Sequence, residues 1–127
     1  MVKARSKQKS AARPRDRLSI RVDLASGARI GPGKVAVLEE IERAGSISAA
    51  GRALAMSYRR TWRLVEDMNL ALGKPVVDTA AGGSGGGGAS LTRLGKAVVA
   101  QYRAIEAEST SAAKKHLATL NRICGGA

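Results

Sequence analysis

No phenylalanine occurs in the 127 residues, and one tryptophan and two tyrosines make up the whole aromatic complement. A β-sandwich core draws on aromatic and β-branched side chains. Their shortage, beside an alanine-heavy hydrophobic fraction of 44%, favours packed helices. Cysteine is reduced to Cys124, which excludes an internal disulfide framework and suits a reducing compartment. Acids are scarce as well: ten Asp and Glu stand against 22 Lys and Arg, for a formal net charge of +12. That imbalance bears on partners rather than fold, and it favours polyanions such as nucleic acid or an acidic membrane. No apolar run approaches the roughly eighteen residues that a bilayer span requires. The basic start, "MVKARSKQKSAARPRDR", lacks the apolar stretch of a secretory signal. A cytoplasmic, nucleoid-associated location follows as the expectation. The length suits one domain with a modest core.

What is present falls into a clear order. Residues 1–17 carry Lys3, Arg5, Lys7, Lys9, Arg13, Arg15 and Arg17 against Asp16, with almost nothing to bury, and read as a disordered basic tail. Its charge suits a DNA backbone or serves solubility alone. "LSIRVDLASGARIG" alternates Leu18, Ile20, Val22 and Leu24 with polar residues and turns at Ser26-Gly27, which predicts a hairpin with Arg29-Ile30. A helix follows over Gly33–Ala44, with Val37, Leu38 and Ile41 on one face and Gly45 as its left-handed cap. Ser48 is expected to cap a second helix through Ala55, and Ser57 a third to about Leu72, stopped by Gly73-Lys74-Pro75. "VVDTA" (76–80) and "ASLT" (89–92) read as short strands on either side of a glycine loop. Thr92 then caps a long helix to about Leu120, and 121–127 form a loose end. The fold class expected is mainly α with a small β component. The order is that of a winged helix-turn-helix over 18–92, followed by a long C-terminal helix over 93–120.

The second helix is built from Ala49, Ala50, Gly51 and Ala53, small enough to let two helices cross closely, with Leu54 as its large apolar anchor. In the third, Thr61, Val65, Met68 and Leu72 form an inward stripe. Opposite stand Tyr58, Arg59, Trp62 and Arg63, with Arg60 on the flank. A helix that reads the major groove crowds its contacts at this N-terminal end, where arginine can bind guanine bidentately. Ser48, Arg52 and Ser57 join the candidate DNA-contacting set from the turn. A solvated basic face is the bland alternative, and Trp62 could equally stack on the core or on a neighbouring subunit.

"GGSGGGG" (82–88) satisfies G-x-G-x-x-G, but so would any glycine run. Ala89 stands where a phosphate-binding loop needs lysine, and a strand follows where such a loop needs a helix. A wing tip is the better reading: glycine removes side chains that would hold backbone amides away from phosphate, and Ser84, Gly85 and Gly86 are the candidates for that contact. His116 and Cys124 are too few and too distant for a metal site. The carboxylates Glu39, Glu40, Glu42, Glu66 and Asp67 lie on helix surfaces with no nucleophile beside them. Neither catalysis nor a metal or other cofactor is expected. Leu94, Val98, Tyr102 and Ile105 recur at helical spacing along the last helix, as a dimer interface or as packing onto their own domain.

"GSISAAGRALAMSYRRTWRLVEDMN", then "PVV", the glycine loop and "LTRLGKAVVAQYRAIE", closely resemble the DNA-binding domain of ModE-type molybdate-responsive regulators. The likeness extends more distantly to the LysR-type winged helix-turn-helix and covers about residues 18–107. It implies a transcription regulator that binds a double-stranded operator as a homodimer. Residues 57–72 would be the recognition helix, 76–92 the wing, and the helix from Thr92 onward the dimerisation element. Full-length members carry C-terminal oxyanion-binding domains, and none is expected within these 127 residues. A nucleoid-like DNA or RNA binder acting through charge, and an adaptor whose helix-turn-helix docks a protein, remain the alternatives.

Overall fold

Alternation of apolar and polar residues ahead of a Ser-Gly turn produces a hairpin. Strands β1 (Val22–Asp23) and β2 (Arg29–Ile30) pair antiparallel, with Val22 opposite Ile30 and Asp23 opposite Arg29. The computed structural model describes residues 16–80 and 88–125. The hairpin leads into helix α1 (Pro32–Ala44), whose proline sits in the first turn where no amide partner is lost, and which Gly45 closes in the left-handed conformation. Its apolar stripe, Val35, Val37, Leu38 and Ile41, is wholly buried.

The N-cap of helix α2 (Ile47–Ala53) lies two residues earlier than the sequence suggests. The cap is Ser46, whose Oγ accepts from the Ala49 amide at 2.9 Å, and Ser48 lies inside the first turn. Ile47, between the two serines, is buried in the core from the first turn of the helix. The far end also stops short of Ala55. The amide of Met56 folds back on the Gly51 carbonyl at 2.8 Å, and Ala55 takes a positive φ of 56°. Helix α3 (Tyr58–Leu72) begins at Ser57, which accepts from the Arg60 amide at 3.0 Å, and ends at Gly73, as expected.

Strands β3 (Val77–Thr79) and β4 (Ala89–Leu91) pair antiparallel in the register Val77–Leu91, Asp78–Ser90 and Thr79–Ala89, and the Ala80 amide extends the ladder to the Gly88 carbonyl. Helix α4 (Arg93–Ile123) follows. Thr92 caps it by accepting from Gly95 N at 3.0 Å while donating to the Pro75 carbonyl at 2.8 Å. The architecture is therefore a winged helix-turn-helix with a long final helix, mainly α with a small β part.

One compact unit spans Ser19–Glu108 and takes in the front half of α4. Its main core joins α1, α2, α3 and the wing root through Leu38, Ile41, Ala50, Val65, Met68 and Val76. A second cluster sets Tyr102 of α4 on Ile30 and Val35, and the tyrosine hydroxyl donates to the Ile20 carbonyl at 2.5 Å. Arg103 then clamps α4 to α1. It reaches both Glu39 carboxylate oxygens at 2.6 and 2.9 Å, and Glu106 at 2.6 Å. The other unit comprises, among the described residues, 16–18 and 109–125. In it Asn121 donates to the Asp16 carboxylate.

Candidate nucleic-acid interface

Helix α3 owes its position to the residues behind it. Thr61 is fully buried, with Oγ1 donating to the Ser57 carbonyl at 2.8 Å, and Val65 and Met68 continue the inward stripe. Leu72 and Leu54 are partly buried against the same core. At about 100° per residue, a core face centred on Thr61, Val65 and Met68 turns Arg59 and Arg63 to the opposite side. Both arginines are exposed, and Tyr58 is 57% exposed. Among the described residues the ion-paired arginines are Arg21, Arg43 and Arg103, so Arg52, Arg59, Arg60 and Arg63 carry their charge unopposed.

The two flanks of the arginine ridge differ. Tyr58 and Trp62, four residues apart, line a cleft of about 330 Å³ between the helix pair and the wing root, whose other walls are Ser46, Ser48, Thr79 and Gly88. Trp62 is half-buried and packs on the main core, so its ring is braced rather than free. Arg60 and Leu64 face the other way. Ser48 is exposed and accepts from Arg52 Nη1 at 3.0 Å across one turn of α2.

The wing is fixed to the helices at two points and closed across its own root by a third bond. Val76 N donates to Asn69 Oδ1 at 2.8 Å, Ala89 N to the Gly45 carbonyl at 2.8 Å, and Thr92 N to the Val76 carbonyl at 3.0 Å. Sequence reading missed Asn69. An amide side chain near a helix C-terminus is common, and nothing local distinguishes one that holds a strand seven residues on. The wing-tip candidates Ser84, Gly85 and Gly86 lie outside the described residues.

The residues singled out on α4 do not form one uniform surface. Tyr102 is 2% exposed and belongs to the chain's own second cluster. Leu94 and Val98 are partly buried, and Ile105 is 40% exposed. Together with Val22, Leu24 and Leu72 they border an apolar groove of about 300 Å³ between the hairpin and α4.

No family model matches the chain. It is 38% identical over 110 residues to the molybdenum transport protein ModE of Azotobacter vinelandii, covering 87% of this chain and 40% of that protein. It is 51% identical over 82 residues to the molybdenum-pterin-binding protein MopB of Rhodobacter capsulatus, or 65% of this chain and 30% of that one. The DNA-binding transcriptional dual regulator ModE of Escherichia coli K12 is 37% identical over 71 residues, 56% and 27% of the respective chains. The chain thus spans 40% or less of the length of these curated relatives. Among solved structures, the DNA-binding domain of CbnR in complex with DNA superposes with a TM-score of 0.55 at 19% identity. That match covers 69% of this chain and 95% of the other, and it supports the fold.

Proposed function

We propose that this chain, ModE-type in sequence and winged helix-turn-helix in fold, is a transcription regulator that binds double-stranded DNA. Helix α3 enters the major groove and offers Arg59 and Arg63 to base edges. Tyr58, Arg60 and the turn residues Ser48, Arg52 and Ser57 meet the flanking backbone, with Trp62 holding the helix in place. The wing, with Ser84, Gly85 and Gly86 at its tip, lies on the adjacent backbone or minor groove. The observation that carries this reading is the ridge of Arg59 and Arg63: open to solvent, unpaired among the described residues, and backed by a buried stripe that fixes its direction. The role is one of binding, not catalysis.

Dimerisation through α4 completes the reading. The apolar groove beside Ile105 supports it, with Leu94 and Val98 on its wall. A twofold dimer predicts half-sites one DNA turn, about 34 Å, apart. The names of the relatives point to operators near genes of molybdenum uptake or use as the first candidates.

The decisive experiment is selection of bound sites from random duplexes by the full chain, repeated with Arg59→Ala. A consensus with twofold symmetry that the variant loses is the expected result. Uniform recovery of all sequences with a steep salt dependence would replace the regulator by a charge-only binder. DNA affinity indifferent to both Arg59→Ala and Arg63→Ala would point to an adaptor.

A further inference from the structure

On the side of α3 away from the wing lies a second cleft, of about 350 Å³, that the reading above leaves unused. Its floor is apolar, from Met56 and Leu64, and its rim carries four cations drawn from three elements and the segment before them. These are Arg21 just ahead of β1, Arg29 on β2, Lys34 in the first turn of α1, and Arg60 on α3. Among the described residues only Arg21 makes an ion pair, with Asp23 at 2.9 Å, and that same carboxylate faces Arg29 across the hairpin. Lys34 Nζ rests on the Arg29 carbonyl at 2.9 Å, which orients the ammonium without neutralising it. The first turn of α1 contains no acid, and a Cβ built at Gly33 would meet nothing within 4 Å, so the mouth of the cleft is open.

The angular placement of this cleft gives it a meaning. With Arg59 and Arg63 opposite the core, Tyr58 and Trp62 fall on one flank of α3 and Arg60 and Leu64 on the other, each flank opening into its own cleft. A helix seated in a major groove about 12 Å wide has a phosphodiester strand on each side of it. We propose that the hairpin-side cleft seats one of those strands, Arg29, Lys34 and Arg60 pairing with its phosphates while the wing side holds the other. The hairpin is then part of the DNA-binding apparatus as well as a support for α4. This rests on the DNA-binding reading of α3 and adds a partner surface to it.

Phosphate contacts position a protein without reading sequence. The test therefore uses Arg29→Ala/Lys34→Ala and, separately, Gly33→Glu, on the full chain, against both a selected duplex and a random one. Neither set of changes removes a bond between backbone groups, the double variant losing only the exposed Lys34 Nζ contact to the Arg29 carbonyl, and a glutamate early in a helix is favourable to the fold. The double variant is expected to weaken binding to both duplexes by the same factor, and to lower the slope of log affinity against log salt by about 2. Gly33→Glu is expected to weaken binding to both while melting no lower than the parent. If affinity and salt slope stay at parental values while Arg59→Ala still abolishes selective binding, the cleft proposal fails and the reading of α3 stands. If the parent protein binds no duplex at all, both fall together. If the double variant loses selectivity rather than affinity, the cleft reads bases and the assignment to phosphates is overturned.

Discussion

A methyl group added at Gly51 would stand 2.7 Å from Thr61 Oγ1 and 3.1 Å from the Met56 carbonyl oxygen. Neither neighbour can yield cheaply, since Thr61 is fully buried and bonded to Ser57, and Met56 closes the turn. Gly51→Ala is accordingly expected to cost about 1–3 kcal/mol in urea unfolding, although alanine is the better helix former. Four residues on, the order reverses. Ala55 holds a left-handed φ of 56°, a conformation that costs a non-glycine residue roughly 1–2 kcal/mol. Ala55→Gly should relieve that strain, partly offset by about 0.5–1 kcal/mol of added chain entropy in the unfolded state. A melting temperature equal to or above the parent's is the expected result. At Arg59 the informative change is conservative. Arg59→Lys keeps the charge and removes the planar fork, so it should leave affinity for random DNA nearly intact and shrink the preference for a selected site, by about 1–3 kcal/mol. Competition binding against random duplex measures both.

Between elements, two contacts carry testable weight. Asn69→Ala removes the acceptor for the Val76 amide and should destabilise the protein by about 1–2 kcal/mol. Its signature is faster amide exchange at Val76, with the protection of α1 unchanged. The Arg103 clamp makes a prediction about acid. Its guanidinium holds the Glu39 carboxyl below its ordinary value of 4.5. A group so depressed contributes stability that is present above its unfolded value and lost as pH falls through the folded one. The loss therefore begins near pH 4.5 and deepens below it. Both side chains are well over a third exposed, so the effect is expected to stay under about 1 kcal/mol. Glu39→Gln should unfold more easily at neutral pH and show a flatter decline into acid. These contacts also mark how far the sequence could be read. Caps at Ser57, Gly73 and Thr92 were legible because capping is local chemistry. The cap of α2 at Ser46 rather than Ser48 was not, because either serine has the hydroxyl a cap needs and residue type alone does not choose between them. Asn69 to Val76, Arg103 to Glu39 and Tyr102 to Ile20 were not legible, since a hydrogen bond across a fold leaves no periodic trace in the chain.

For the molecule as a whole, the formal charge of +12 sets a background attraction to any polyanion on which selectivity must be superimposed. The expected behaviour is steeply salt-dependent affinity for all duplexes, with the gap between selected and random sites almost independent of salt. Assembly can be examined separately. Ile105 is 40% exposed at the end of the apolar groove. Ile105→Glu should convert a dimer to monomers in light scattering while preserving the helical circular dichroism of the parent. A parent that sediments as a monomer at micromolar concentration would remove the dimer from the reading. The wing has a consequence of its own. Its two strands are locked in register by Asn69, the Gly45 carbonyl and the Ala80–Gly88 bond, all of which lie outside residues 81–87. Closing a longer span costs only about 0.6 kcal/mol per doubling. That intervening stretch should therefore accept insertions, deletions or a grafted peptide without unsettling the scaffold, a natural port for retuning which operators are chosen.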